Sequence, residues 1–246
     1  MTLQLATADR RVDRSEDLRG TRKSRSVYEA LKRQIIVGDL TPDCAITEQA
    51  LAQEFGCSQS TVREALLTLQ EDGLVVRRGY RGTFVTETSD EEAGIMLRLR
   101  LNIEQAAIGK IVGNVSEAVL CQLRDLASLH DERRLQRNAF GVAETDIDFH
   151  ILLLRAAEMP LLEPTLQRTL LHLHRFIVTH HQYRMDWAKD PEASHTALID
   201  AIGNGDRAKA DGLIVQHVGT HLAGIDHYIA ETVFAAAGGT HAPDQV

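Results

Sequence analysis

The residues best suited to chemistry in this 246-residue sequence begin with Asp146 and His150, in the run Asp146-Ile147-Asp148-Phe149-His150. On a helix, residues four apart project from one face, so a carboxylate and an imidazole would stand side by side. His195 opens an apolar-periodic stretch after Pro191, and His217 follows 22 residues later, across the break Gly203-Asn204-Gly205-Asp206. Antiparallel helices can bring these four side chains together. One carboxylate with three imidazoles suits a borderline divalent ion, Zn²⁺ first and Ni²⁺ second, with coordination positions left open. Spacing alone keeps other histidines in play, namely His172, His174, His180, His181, His221 and His227, and His221 lies one turn beyond His217. Asp-x₃-His is by itself a weak pattern, and a lone helical histidine more often faces solvent or completes a core.

A second group of residues suits nucleic acid. Ser58-Gln59-Ser60-Thr61-Val62-Arg63 opens a helix whose Val62, Ala65, Leu66 and Leu69 fall at helical spacing, leaving Gln59, Ser60 and Arg63 outward. Gln59 and Arg63 share one face. Arg can take guanine O6 and N7 bidentately, while Gln suits adenine or a phosphate. Arg77, Arg78 and Arg81 then sit on or beside Gly79-Tyr80-Arg81-Gly82, where glycines let backbone and cations approach a groove. Any one of these arginines could be a solvated surface charge; it is their order along the chain that points to DNA.

The elements needed to position these residues are legible in outline. Residues 1–24 are polar and without period, and are expected to form a disordered arm. Ser26 is a good N-cap for a first helix carrying Val27, Tyr28, Leu31, Ile35 and Ile36, which ends before Gly38. Thr47 caps the next, with Ile46 and Leu51 spaced as a hydrophobic staple, and Phe55-Gly56 stops it. Ser58 opens the third, closed by Asp72-Gly73. Leu74 to Arg78 and Thr83 to Thr86 are β-prone runs flanking a glycine-containing turn, hence a hairpin. Helix, helix, tight turn, helix, hairpin over residues 25–86 is a winged helix-turn-helix, in which the second helix of the pair enters the major groove. After a linker at 87–89, residues 90–236 read as helical throughout, with starts at Ser89, Ser116, Pro160, Asp190-Pro191 and Asp206 and another helix carrying Asp146 to Glu158. About six helices in this length make an antiparallel all-α bundle, and 237–246 a disordered tail. The fold class is therefore mainly α.

Composition narrows the function classes. No apolar run approaches the roughly 20 residues that span a bilayer, and the N-terminus lacks the order of a signal peptide, so the expected location is cytoplasmic with no membrane partner. Cys44, Cys57 and Cys121 are odd in number and far apart, which suits buried reduced thiols better than disulfides or a thiolate metal site. A net charge of −8 taken as a whole disfavours nucleic acid, but it is unevenly spread. Residues 1–86 hold 13 Lys/Arg against 12 Asp/Glu, and the remainder holds 14 against 23. An acidic body can still bind DNA through a few well-placed cations, because phosphate contacts are local.

The N-terminal segment resembles the winged-helix head of the GntR family of bacterial transcription regulators. The residues that carry the resemblance are Tyr28-Glu29-Ala30-Leu31-Lys32 with Ile35 and Gly38, Leu51-Ala52, Phe55-Gly56-Cys57-Ser58, Val62-Arg63-Glu64-Ala65-Leu66 with Leu69, Asp72-Gly73-Leu74, and Arg78-Gly79-Tyr80-Arg81-Gly82-Thr83. Gln59 stands where the family usually has a base-contacting Arg, Thr61 where Pro is frequent, and Pro42-Asp43 replaces Pro-Gly. The resemblance implies that Gln59, Ser60, Thr61, Arg63, Arg78, Arg81 and Gly82 face DNA. Residues 90–235 resemble the FCD ligand-binding domain of the FadR subfamily, through Arg100-Leu101-Asn102-Ile103-Glu104, Asp146 with Phe149-His150, His195 with Ala201-Ile202 and Gly205-Asp206, and His217. It implies that Asp146, His150, His195 and His217 hold the metal, and that Arg100 meets the carboxylate of an effector unless it only pairs with Glu104 on a helix surface.

The function expected from these readings is a homodimeric regulator, a repressor as the family resemblance implies, on a palindromic operator of double-stranded DNA and controlled by a small organic acid at the metal. Two other readings compete. A metal-dependent enzyme could use the same ion to activate water, although no general base stands beside it and the head would go unexplained. A purely structural ion would stiffen the bundle and sense nothing.

Overall fold

The computed structural model describes residues 14–180 and 194–220. The chain opens with α1 (Arg14–Ile36), whose Val27, Leu31, Ile35 and Ile36 are buried. Its first turns run through residues expected to be a disordered arm, and Ser26, expected to cap the helix, lies inside it with its hydroxyl donating to the Arg22 carbonyl. Extending a helix already nucleated by a packed stripe costs far less than starting one, and no proline interrupts this stretch. Residues 1–13 lie outside the described residues.

Caps fix the next two helices. Thr47 accepts from the Ala50 amide to start α2 (Glu48–Glu54), and Ser58 accepts from the Thr61 amide to start α3 (Gln59–Glu71). Gly73, at φ +79, takes the left-handed conformation that turns the chain out of α3. Strands β1 (Val75–Arg77) and β2 (Thr83–Val85) pair antiparallel, with Val76 opposite Phe84, and Ile46 adds a bridge to Thr83. The turn between the strands contains one 3₁₀ turn, Gly79–Arg81. The head is thus the expected winged helix-turn-helix, with α1 and α2 packed on α3.

Six further α-helices follow among the described residues. α4 (Asp90–Ile111) starts at a reciprocal capping box, Ser89 with Glu92. It is buried on several sides and packs on the helices later in the chain, which is why Arg100 and Glu104 on it are interior. α5 (Glu117–Leu135) is capped by Ser116, as expected. α6 (Ala139–Ala156) begins earlier than Asp146, at an Asn138 cap, and ends before Glu158, whose φ is +55. Pro160 opens only a 3₁₀ turn, Pro160–Leu162, and the α-helix α7 (Glu163–His180) follows it directly with Pro164 in its first turn, where a missing amide costs nothing. Ser194 caps α8 (His195–Gly203); the expected start at Asp190-Pro191 lies outside the described residues. Asp206 accepts from the Lys209 amide ahead of α9 (Arg207–Thr220). The expected tail at 237–246 also lies outside the described residues.

The head rests on the bundle of its own chain. Arg168 on α7 donates to the Glu71 carbonyl at the end of α3. His172 faces Thr88 Oγ1 at 3.3 Å, Arg175 donates to the Thr86 carbonyl, and Lys32 reaches Glu144 at 3.4 Å. α7 therefore touches both the base of the wing and the bundle interior.

The cysteines depart from expectation. Cys44 and Cys121 are exposed and Cys57 is half-buried, all as free thiols. Cys44 lies in the α1–α2 connection and Cys121 on the outer face of α5 beside Glu117, so neither has a core to enter.

Candidate functional site: a buried Asp/His₃ centre below a winged helix

Asp146 and His150 on α6, His195 at the first turn of α8 and His217 on α9 converge inside the bundle. One donor atom from each lies within 4.8 Å of all the others, and all four residues are buried. Asp146 Oδ1 stands 3.2 Å from His195 Nε2 and 3.5 Å from the Nε2 atoms of both His150 and His217. The Nε2 atoms of His150 and His217 are 3.1 Å apart. Four ligands about 2.0–2.1 Å from one ion in a tetrahedron stand about 3.3 Å apart, so the set has the right span. Among the described residues, the buried Nε2 atom of His195 has no hydrogen-bond partner, an arrangement that a bound cation would relieve.

The protonation states of two imidazoles also fit, while at His150 burial alone would lower the pKa but the Glu104 and Asp146 carboxylates overcome it and raise it. Burial, opposed by the Asp146 carboxylate, holds His195 well below its ordinary pKa, and burial likewise lowers His217. These two are then neutral imidazoles near neutral pH, as metal ligation requires. Burial alone would raise Asp146, but the charges of His150 and Arg100 overcome it and hold the carboxyl well below the usual range. Arg100 Nη2 lies 2.7 Å from His150 Nε2. An arginine can only donate, so this bond forms only with neutral His150, the state a metal also requires, and not with the charged ring that lowers Asp146.

Groups around the ligands orient them. Glu104 Oε2 is 3.1 Å from His150 Nδ1, within ion-pair range although poorly aligned for a hydrogen bond. A carboxylate behind a ligand imidazole fixes its tautomer and raises its basicity. His174 Nε2 holds Asp146 Oδ2 at 2.9 Å, leaving Oδ1 toward the other imidazoles. Phe149 packs on the His195 ring at 4.1 Å between centroids, and His130 meets it edge-on at 4.7 Å.

Arg100 is fully buried rather than on a helix surface. Its Nε does pair with Glu104, at 2.8 Å, and its Nη1 has no hydrogen-bond partner among the described residues. Of the rival histidines, His174 joins the centre through Asp146, His172 faces the head, and His180 stacks on Phe176 at 4.1 Å. His181, His221 and His227 lie outside the described residues. The sequence reading missed the part played by Glu104 and His174. Glu104 was visible only as the partner of Arg100, and its approach to His150 depends on how α4 crosses α6.

In the head, Gln59, Ser60 and Arg63 are exposed on α3, and Arg78 and Arg81 are exposed at the wing. Arg78 lies over the Phe84 ring at 5.1 Å, and Gly82 has φ +102. Tyr80 at the wing tip is 97% exposed. Thr61 is buried instead, with its hydroxyl 2.8 Å from Ser58 Oγ, because the third position of a capped helix turns back over its cap. Arg63 is held by Glu48 of α2, with Nη2 2.6 Å from Oε2 and Nε 3.1 Å from Oε1.

Residues 23–85 match the gntR family of bacterial regulatory proteins, and residues 95–220 match the FCD domain. The chain is 24% identical over 211 residues to the uncharacterized HTH-type transcriptional regulator YdhC of Bacillus subtilis, covering 83% of this chain and 91% of that protein. It is 26% identical over 202 residues to the HTH-type transcriptional repressor RspR of Escherichia coli, covering 79% and 85%. Identity reaches 30% over 211 residues with RmpR of Mycobacterium gastri, named for the HTH-type transcriptional regulators, covering 78% and 76%. Among solved structures, E. coli McbR/YncC superposes with a TM-score of 0.69 at 19% identity, over 82% of this chain and 95% of that one. A GntR-type protein from Rhodococcus sp. RHA1 gives 0.63 at 22% identity, over 90% and 100%. With the FCD match alone spanning over half of its residues, this chain is a transcriptional regulator of the GntR family, built from a helix-turn-helix head and an FCD domain.

Proposed function

We propose that this protein is a homodimeric, DNA-binding repressor whose operator affinity is set by a small carboxylate bound at a divalent metal in the FCD domain. The observation that carries the reading is the buried convergence of Asp146, His150, His195 and His217 in a chain whose head exposes Gln59, Ser60 and Arg63 on one helix. Zn²⁺ best suits the three imidazoles and one carboxylate, with Ni²⁺ next. When bound, the ion supplies a Lewis-acidic centre with positions open to a ligand oxygen. Arg100, whose Nη1 has no partner among the described residues, would pair with the carboxylate of that ligand.

Two recognition helices related by a two-fold axis would read a palindromic operator. Arg63 would contact a base, Gln59 and Ser60 would lie alongside it, and Arg78, Arg81 and the Gly82 backbone would approach the adjacent groove or phosphates. Thr61, being buried, would serve as part of the cap that aims the helix. Repression is the sense supported by RspR, a repressor by name. The effector can switch the protein only by binding one arrangement of the heads better than another. α7 offers a route, since it holds Asp146 through His174 and the head through Arg168 and His172.

The test is metal content of the purified protein, measured together with binding to DNA from its own promoter region, with and without candidate carboxylates. About one ion per chain and specific binding that a carboxylate weakens is the expected result. Specific binding with no metal and no response would overturn the effector reading while leaving the DNA reading intact.

A further inference from the structure

Where α7 meets the head, the chain encloses a cavity of about 300 Å³ that none of the metal ligands lines. Its walls come from three parts of the molecule: the turn at residues 40–42 after α1, Glu87 and Thr88 in the connector, and the last turns of α7 with Arg175 and Phe176. Cavities that hold small ligands start at about this size.

Arg175 makes this cavity unusual. It is 5% exposed, yet it forms no ion pair among the described residues. Nη1 donates to the Thr86 carbonyl, but the buried Nε has no hydrogen-bond partner. Burial pushes its pKa down, and Glu87 only partly offsets this. A desolvated cation without a counter-ion is costly, so the fold tolerates here something that a ligand would relieve. Nε belongs to the planar fork of the guanidinium, the shape that takes a carboxylate. Leu40, Pro42 and Phe176 supply apolar wall beside it.

We propose that this junction cavity is a second ligand site, taking a small carboxylate with an apolar body that neutralises Arg175 and rests against Leu40 and Phe176. The site is independent of the metal centre. Because head, connector and bundle each contribute a wall, an occupant would favour the head position seen here over others and thereby alter operator affinity. Glu87 is the internal competitor, since turned inward it would satisfy Arg175 itself.

Benzoate is a suitable probe, with benzamide as its uncharged counterpart, titrated into the full-length protein and monitored by ligand-observed NMR. The same titration on His195→Ala removes any contribution from the metal centre. Saturable benzoate binding is expected in both proteins, at least tenfold weaker in Arg175→Gln and absent for benzamide. Thr41→Trp fills the mouth of the cavity from an exposed position and should block binding with Arg175 intact, so misfolding at Arg175 cannot mimic the result. No saturable binding to wild type, binding indifferent to both substitutions, or equal binding of benzamide would each overturn the proposal. Binding that emerges only in Glu87→Gln would identify Glu87 as the occupant and overturn it as well. Benzoate binding lost in His195→Ala alone would instead locate the ligand at the metal.

Discussion

Replacing Glu104 by Gln is the sharpest test of how the buried centre is held together. The carboxylate is fully buried, 2.8 Å from Arg100 Nε and 3.1 Å from His150 Nδ1. Burial alone would raise its pKa, but Arg100 and His150 overcome that and bring it from 4.5 to about 2. A shift of this size corresponds to about 3 kcal/mol of folded-state stability at neutral pH. Independently, removing one partner of a buried ion pair costs about 3–5 kcal/mol, because the other charge is left unpaired. The sign follows from linkage: a depressed carboxyl pKa stabilises the fold above the unfolded value and ceases to do so as pH falls through the folded value. The loss in Glu104→Gln should therefore be about 3 kcal/mol at pH 7 and shrink between pH 4.5 and about 2. Urea denaturation of metal-stripped protein at several pH values measures it. Metal affinity, measured by chelator competition on the same variant, should fall about 10–100-fold, as is usual when a group supporting a ligand is lost. A loss below about 1 kcal/mol at pH 7, or one that does not narrow in acid, would refute the claim that Glu104 works as a charge.

The other predictions concern single links in the chain of argument. His195→Ala and His217→Ala should each lose bound metal in elemental analysis, and full occupancy in both would reject the ligand set. Arg63→Ala should weaken specific operator binding about 5- to 150-fold per half-site, the range for one bidentate base contact; unchanged affinity by fluorescence anisotropy would move recognition elsewhere. Burial keeps His195 and His217 below their ordinary pKa while Glu104 and Asp146 raise His150, so His150 is the ligand whose proton the metal must displace, and metal affinity should already fall as pH drops from 7 toward 6.5. Affinity that stays flat from pH 7 to 6.5 would contradict a raised His150. Gly73→Ala should cost about 1–2 kcal/mol in thermal or chemical unfolding, from the left-handed backbone. A side-chain carbon there would also come 3.0 Å from His172 Nε2. An unchanged Tm would mean that the turn at the head–bundle junction relaxes freely.

Local signals in the sequence determined much of this protein. Thr47, Ser58, Ser89 and Ser116 cap the helices they announce, since a cap is a contact between near neighbours. The glycine-bearing turn between two β-prone runs gives the wing, and Asp146-x₃-His150 places two donors on one face for the same local reason. The convergence of His195 and His217 on that pair was suggested by resemblance and by antiparallel packing, but it depends on how α8 and α9 cross α6. Only the tertiary structure decided that Arg100 and Glu104 are interior, because an i,i+4 pair looks the same on a surface helix and on one enclosed by neighbours. Only the fold, too, made His174 a partner of Asp146 and left Arg175 buried without a counter-ion among the described residues. Both lie on α7, and a charge's environment is set by what surrounds it in space, which no spacing along a single helix records.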